Sequence, residues 1–294
     1  MGLSGPPCLC FHFQMRLQAF IPEKRNPKQT KEILKMPTVI YYFTGTGNSL
    51  KCARDIAGGL GNTTLVPMQA MRDKMISPEA DCIGLVFPVY GWGLPHAVKR
   101  FIKRLSGKNK GRYIFAVATS GGRFAGTLVL ARKKLRARGL RLSAGFSVVM
   151  PTNMILMHET SEEKQKRLFD SMKAKVSEIV SAVKSREFRK VETGSLSDRI
   201  LRTGIVYRVV SPFFKQMDHL FRTDQRCTGC GLCSRVCPAH NIEMQNGIQK
   251  WKHRCEMCLS CLNLCPNQAL QCGKMTEGKR RYKNPDIDVK DLMY

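Results

Sequence analysis

The stretch TVIYYFTGTGNSLKCARDIAGGL, residues 38–60, predicts a strand that passes into a helix through a loop of glycines and hydroxyls. Residues 38–43 are a short run of β-branched and aromatic side chains, which is typical of a buried strand. Asn48 and Ser49 open a helical stretch that ends on glycines. The stretch is therefore predicted to form a strand–loop–helix unit.

The same alternation continues downstream. Further strands are predicted at residues 82–87, 113–119 and 144–150, with a weaker one at 64–66. Helices are predicted at residues 95–105, 125–138 and 161–186, and Ser161 caps the last of them. Strands that alternate with helices predict a mostly parallel sheet covered on both faces.

The loop between the first strand and its helix has the features of an anion site. Its backbone N–H groups and the helix dipole would face a phosphate. A nucleoside triphosphate is not expected, because the Walker lysine is missing. The G-x-G-x-x-G/A spacing of dinucleotide sites is missing too. The candidate binding residues of this loop are Thr44, Gly45, Thr46, Gly47, Asn48 and Ser49.

Two more loops follow the carboxyl ends of predicted strands, where ligands bind in such sheets. Tyr90 or Trp92 could stack on a planar ring, although Trp92 could also simply fill a turn. The candidates in the first loop are Pro88, Val89, Tyr90, Gly91, Trp92 and Gly93. Those in the second, which could approach the polar edge of the ring, are Thr119, Ser120, Gly121 and Gly122.

The pattern Cys-x-x-Cys-x-x-Cys-x-x-x-Cys-Pro occurs twice near the end of the sequence. Three closely spaced thiolates can hold three corners of one cubane, and the fourth cysteine of each run ligates the other cluster. Structural zinc is the alternative, but zinc usually takes two separated cysteine pairs. The predicted ligand sets are Cys227, Cys230, Cys233 and Cys265 for one [4Fe–4S] cluster, and Cys255, Cys258, Cys261 and Cys237 for the second.

These motifs resemble two known families. The phosphate loop and residues 36–190 resemble the flavodoxins, and residues 223–273 resemble a two-cluster bacterial ferredoxin. The whole chain is similar to flavodoxin–ferredoxin fusion proteins of anaerobic metabolism. The resemblance implies an α/β fold with a flavodoxin-like doubly wound parallel sheet, followed by a small α+β ferredoxin domain. It also implies FMN and two [4Fe–4S] clusters as cofactors.

Three segments lie outside these two domains. Residues 1–35 are predicted to be an N-terminal extension, and translation from Met36 is an open alternative. Residues 191–222 are predicted to be a helical linker whose apolar side chains either pack on a neighbouring domain or lie on a membrane surface. Residues 274–294 are polar and are predicted to be a loosely ordered tail.

Composition bears on location. No run of about 18 apolar residues predicts a transmembrane helix, and the N-terminus lacks the features of a secretory signal. Thirteen cysteines in a chain without such a signal favour metal binding over disulfides. We therefore expect a cytoplasmic protein.

The charge is extreme, with a formal net value of +27. Between residues 36 and 150 there are 18 Lys and Arg against four Asp and Glu, and no carboxylate lies between Asp81 and Glu159. Such a field attracts anionic partners, which predicts acidic redox proteins; a solvated surface without a dedicated partner is the alternative. The cations concerned are Lys99, Arg100, Lys103, Arg104, Lys108, Lys110, Arg112, Arg132, Lys133, Lys134, Arg136, Arg138 and Arg141.

Three functions fit these observations. The first is electron transfer between FMN and the two clusters in anaerobic-type redox metabolism. The second is a flavin- and iron–sulfur-dependent reductase with its own substrate, such as a quinone, nitro compound or flavin. The third is a basic module that associates with nucleic acid, for which no recognition motif is present.

Overall fold

The computed structural model describes Met1 and residues 37–157 and 159–294. The predicted N-terminal extension and the alternative start at Met36 therefore lie outside the described residues, apart from Met1.

Five parallel strands form the sheet of the first domain, in the spatial order β2-β1-β3-β4-β5. This is the flavodoxin-like order, in which the chain changes direction between β1 and β3. The predicted α/β class with a doubly wound parallel sheet is confirmed. The strands are β1 (Thr38–Tyr42), β2 (Thr63–Pro67), β3 (Cys82–Pro88), β4 (Tyr113–Ser120) and β5 (Ala144–Val149).

Helices cover both faces of this sheet. One face packs on α1 (Asn48–Leu60) and α4 (Glu162–Lys184), and the other packs on α2 (His96–Arg104) and α3 (Thr127–Arg136). Each helix presents an apolar side to the sheet, as Phe101 of α2 and Ile179 of α4 show. Ser161 caps α4 as predicted, because its hydroxyl accepts a hydrogen bond from the Lys164 N–H at 3.4 Å.

A long helical segment, residues 196–220, leads out of the first domain, and we call it the linker helix. It changes type along its length: α at Leu196–Asp198, π at Arg199–Val206, α at Tyr207–Val210 and 3₁₀ at Ser211–Leu220. Its inner side packs on the first domain, where Tyr207 and Phe214 are buried. Within residues 37–157 and 159–294, no helix combines the length and apolar character needed to cross a membrane.

The second domain is built from short elements around the cysteine motifs. Strands β6 (Phe221–Thr223) and β9 (Leu270–Cys272) pair antiparallel, and β7 (Ile242–Gln245) forms a hairpin with β8 (Ile248–Trp251). Asn246 and Gly247 turn this hairpin with positive φ angles of 50° and 78°, as an Asn-Gly turn requires. Each cysteine triplet ends in a single-turn helix that contains its third cysteine, α5 (Leu232–Arg235) and α6 (Ser260–Asn263). Short 3₁₀ turns lie at Met68–Met71, Gly107–Asn109, Gly273–Met275 and Val289–Leu292.

The expectation of a loosely ordered tail is wrong. Residues 274–294 run back over the first domain, and Ile287 and Leu292 join the same apolar core as α1 and α4. Tyr282 and Asn284 are buried as well. The tail is well packed because its few apolar side chains reach a surface far away in the sequence, which its polar composition did not reveal.

Candidate functional site

A cavity lies at the carboxyl ends of β1, β3 and β4, at the edge where the sequence predicted a ligand. Most of the predicted loop residues meet there, together with the segment after β5, which sequence reasoning missed. That segment follows a strand end like the others, and this position is the signal that could have identified it. The cavity is lined by Thr44, Gly45, Thr46, Asn48, Ser49, Pro88, Val89, Tyr90, Thr119, Ser120, Gly121, Met150, Pro151, Thr152, Asn153 and Met154.

The phosphate loop turns sharply into α1. Gly47 precedes the helix with a φ of +105°, a conformation that glycine adopts without strain. The first N–H groups of α1 consequently face the loop, where they could donate hydrogen bonds to a bound anion. The Ser49 hydroxyl lies 2.8 Å from the Thr119 hydroxyl, so the first and third candidate loops are in direct contact.

Two buried polar atoms at this cavity have no hydrogen-bond partner among the described residues. They are Thr44 Oγ1 and the Tyr90 hydroxyl. Burial, followed by the charge of Cys258, raises the pKa of Tyr90 well above its usual value, so its hydroxyl keeps its proton. Buried polar groups normally have partners. A ligand with phosphate and polar ring atoms would supply them, so these residues fit a flavin.

Gly47, Gly91, Trp92, Gly93 and Gly122 do not line the cavity. Trp92 packs instead beneath Arg202 of the linker helix, whose guanidinium lies 5.0 Å from the ring centroid. A Cβ at Gly91 would meet the ring of Phe214 at 2.6 Å, and one at Gly93 would meet the ring of Tyr207 at 2.4 Å. This loop therefore receives the linker helix, and the stacking of Trp92 on a ligand ring remains a prediction.

The first predicted cluster set meets at a second cavity. Cys227, Cys230 and Cys233 line it together with Cys265 of the other motif, in the crossed arrangement that the spacing predicts. The Gln249 side-chain amide donates a hydrogen bond to Cys227 Sγ at 3.3 Å. Cys230 is exposed, so this outer set lies at the protein surface.

The second predicted set, Cys237, Cys255, Cys258 and Cys261, is buried. Burial raises the pKa of Cys258 to about 12, and the charge of Cys237 acts in the same direction. Burial and the neighbouring Cys258 also raise the pKa of Cys261. Four buried thiols that disfavour one another's ionisation fit a metal cluster, since cations such as iron hold them as thiolates. We call these four residues the inner set.

Backbone N–H groups point at the inner sulfurs. The Asn241 N–H donates to Cys237 Sγ at 3.3 Å, and the Met257 N–H donates to Cys255 Sγ at 3.2 Å. Met257 and Leu259 have positive φ angles of 54° and 57°, which curl the loop around the cysteines. Such hydrogen bonds set the orientation and electron density of ligating sulfurs.

The inner set directly adjoins the cavity at the phosphate loop. A Cβ built on Gly45 would lie 2.7 Å from the Cys258 carbonyl oxygen and 3.3 Å from the Tyr90 hydroxyl. The same carbonyl accepts a hydrogen bond from the Asn153 side chain at 3.0 Å. Cys258 itself belongs to the apolar core of the first domain. The two candidate sites therefore share a wall.

Glu256 fastens the loop of residues 255–261, which carries three cysteines of the inner set, to the first domain. We call this loop the inner loop. Its side chain is only 2% exposed. One carboxylate oxygen accepts from the Ala97 N–H at the start of α2 at 3.0 Å, and the other accepts from Arg100 at 2.6 Å. A buried charge needs such pairing, and a carboxylate at a helix N-terminus is favoured by the dipole. The contact therefore fixes how the domains sit together.

The tail contacts the phosphate loop from the other side. The Asn48 Oδ1 accepts from the Tyr282 hydroxyl at 2.6 Å and from the Asn284 side chain at 2.9 Å. The Asn284 N–H donates to the Thr46 carbonyl at 2.9 Å. We call residues 274–294 the strap, because their hydrogen bonds hold the phosphate loop in place.

Another group of potential metal ligands lies at the end of the linker helix. Asp218, His219 and His253 place ligand atoms within 4.8 Å of one another. Both oxygens of the buried Asp218 already have partners, Asn241 at 2.8 Å and His253 at 3.1 Å. The two imidazole rings stack at 4.1 Å. Hydrogen bonding therefore accounts for this group, which ties the linker helix to the second domain.

Comparison with known families agrees with both sites. Residues 39–150 match the model of a flavodoxin domain, and residues 219–284 match that of a 4Fe-4S dicluster domain. The chain joins a flavodoxin domain to a 4Fe-4S dicluster domain. The first of these implies a flavin and the second implies 4Fe-4S clusters. The dicluster match also speaks against the zinc alternative.

One curated relative and two solved structures are similar to parts of this chain. Over 70 residues the chain is 30% identical to the "Putative electron transport protein YsaA" of Escherichia coli (strain K12), a match that covers 21% of this chain and 45% of that protein. An archaeal flavodoxin structure covers 51% of this chain and 99% of its own, with 16% identity and a TM-score of 0.36. The flavodoxin of Megasphaera elsdenii covers 47% and 98%, with 18% identity and a TM-score of 0.32.

Proposed function

We propose that the protein transfers electrons between FMN, held by the phosphate-loop cavity, and two [4Fe–4S] clusters, held by the inner and outer cysteine sets. The observation that carries this proposal is the shared wall, in which Gly45 of the flavin cavity packs on Cys258 of the inner set. The electron transport protein YsaA, matched over part of its length, supports the same role. FMN fits better than a dinucleotide because the loop offers one phosphate site.

The bound groups would supply the redox chemistry, with the flavin exchanging one or two electrons and each cluster one. The protein's residues position and insulate them. Gly45 allows close approach of the two sites, and Asn153 and Glu256 fix the inner loop against the flavodoxin domain. Burial of the inner set keeps water away from that contact. The exposed Cys230 brings the outer set to the surface, where a partner protein could reach it.

The proposal predicts that electrons pass within one molecule. When anaerobic, fully loaded protein is mixed with a low-potential donor, the observed rate constant of flavin reduction should not depend on protein concentration, because docked domains make the encounter intramolecular. The measurement is stopped-flow absorbance over a series of dilutions. A variant with Cys227 and Cys255 both replaced by serine should lose this route but keep its flavin. An observed rate constant that rises linearly with protein concentration would contradict the proposal.

The partner is proposed to be an acidic redox protein that meets the basic face formed by α2 and α3. The cations of α3, among them Lys133 and Arg136, are exposed. Charge of this kind raises association rates and loses its effect as salt increases.

Replacing Lys133 and Arg136 with Glu should slow electron transfer to an acidic ferredoxin or flavodoxin by on the order of tenfold at low salt. Stopped-flow rates across a salt series would measure this. Glu replacements at Lys164 and Lys166 provide the matched control, because α4 lies on the opposite face of the sheet. Equal slowing in both variants, or a rate independent of salt, would mean that this face is only a solvated surface.

A further inference from the structure

The linker helix carries a row of apolar side chains on its outer side. Leu201, Ile205, Val209, Phe213 and Leu220 are 48–62% exposed. These positions alternate with the buried positions of the segment, which are Thr203, Tyr207, Ser211, Phe214 and Asp218, so the five side chains lie on the side opposite to its packed face. We call these five residues the apolar stripe. Exposed apolar side chains gathered on one face of a segment are a candidate interaction site.

The inner side of the same helix packs against the first domain, so loose packing does not explain why the stripe is exposed. The Thr203 hydroxyl accepts from the Gly126 N–H at 2.8 Å and donates to the Trp92 carbonyl at 2.7 Å. Tyr207 and Phe214 fill the spaces above Gly93 and Gly91. The helix is therefore held with a fixed face outward, and rotation cannot bury the stripe.

Both carboxylates of this segment have charged or hydrogen-bonding partners, so the charges that it leaves exposed are positive. Residues 196–222 contain two carboxylates, Asp198 and Asp218. Asp198 pairs with Arg202 at 2.7 Å and with Arg123 at 3.2 Å. The side chain of Asp218 has no exposed surface. The cations Arg208, Lys215 and Arg222 are exposed among the apolar residues.

We infer that the linker helix docks on an anionic lipid bilayer, with the apolar stripe inserted at the interface and the neighbouring cations against the headgroups. Leu, Ile, Val and Phe beside Lys and Arg are the composition of helices that lie in such an interface. Each cation near an anionic surface adds attraction that falls off within a Debye length. The protein would thus rest on the membrane without crossing it.

The stripe's composition favours lipid over a protein partner. Binding hot spots in protein interfaces are enriched in Trp, Tyr and Arg, whereas Leu and Val are under-represented. Here the aromatic residues with polar groups face inward: Tyr207 is buried, and Trp92 lies beneath Arg202. The outward residues are almost all aliphatic, and a lipid surface accepts such side chains without specific pockets.

The test is flotation of the loaded full-length protein with vesicles of phosphatidylglycerol and phosphatidylcholine, compared with vesicles of phosphatidylcholine alone. We expect binding to the anionic vesicles, weakened by salt. Replacing Val209 and Phe213 with Ser should reduce the partition coefficient by on the order of tenfold, because the apolar contribution is lost. The matched control replaces Ile248 and Phe188 with Ser, since these side chains are similarly exposed elsewhere, at 66% and 61%.

Iron and flavin content of each variant shows whether it is folded. Unchanged partition of the stripe variant, equal loss in the control variant, or equal binding to the neutral vesicles would overturn the inference. So would sedimentation showing that the wild-type protein is a dimer that the stripe variant dissociates, because the stripe would then be a contact between two copies. Deletion of residues 1–35 should leave partition unchanged; loss of binding on this deletion would place the membrane contact elsewhere.

Discussion

Replacement of Cys258 by Ser should halve the metal content of anaerobically purified protein, from about eight iron and eight sulfide per chain to about four of each. Cys258 belongs to the inner set, whose four cysteines are all buried. The outer set includes no residue of the second triplet, because its fourth member is Cys265. The outer cluster should therefore survive, as measured by iron and acid-labile sulfide analysis.

Replacement of Cys237 tests the crossed arrangement. This residue belongs to the first motif in sequence, but it should cause the same loss as the Cys258 replacement, because it completes the inner set. Replacement of Cys272 by Ser is the matched control, since this cysteine is equally buried in the same domain and lies outside both motifs. Full iron content in the Cys258 variant, or stoichiometric zinc without sulfide in protein never exposed to air, would contradict the cluster assignment.

Gly45→Val should weaken FMN binding by roughly 10- to 100-fold, the equivalent of an overpacking cost of about 1–3 kcal/mol. A Cβ at this position meets the backbone oxygen of Cys258 at 2.7 Å, a contact that no side-chain rotation can relieve. The phosphate loop must then move and take Thr44 and Thr46 with it. Calorimetry with FMN on flavin-depleted protein measures the loss, and FAD and NAD titrated in parallel should bind more weakly than FMN.

Gly58→Val is the matched control, because a Cβ at Gly58 on α1 has no neighbour within 4 Å. This variant should bind FMN like the wild type. Wild-type affinity in the Gly45 variant would show that the loop does not hold the ligand against the inner loop. Tighter binding of FAD than of FMN would contradict the choice of cofactor.

The sequence predicted the parts of the fold that depend on local pattern. The buried strands, the caps and the two cysteine motifs are recorded in neighbouring residues, so their positions follow from periodicity and spacing. The start of α1 at Asn48 was predictable for this reason.

Features that depend on distant contacts were not predictable. Glu256 looks like a surface residue between two cysteines until α2 is placed against it. The strap has no periodic pattern, and Asn284 finds its partner Asn48 across 236 residues. Aromatic residues often stack on ligands, which makes Trp92 a candidate beside Tyr90, but in the structure its ring lies beneath Arg202 of the linker helix. Composition alone could not decide between these two uses.

The strap also has a consequence for the order of biosynthesis. Until Cys258, Tyr282 and Asn284 have been synthesised, the side chain of Asn48 lacks two of its hydrogen-bond partners and Gly45 lacks its neighbour in the second domain. We therefore expect the pocket on the nascent chain to be more open than the finished one. We expect flavin that binds at that stage to be enclosed when the second domain docks, and flavin that arrives after release from the ribosome to meet a loop already held from both sides.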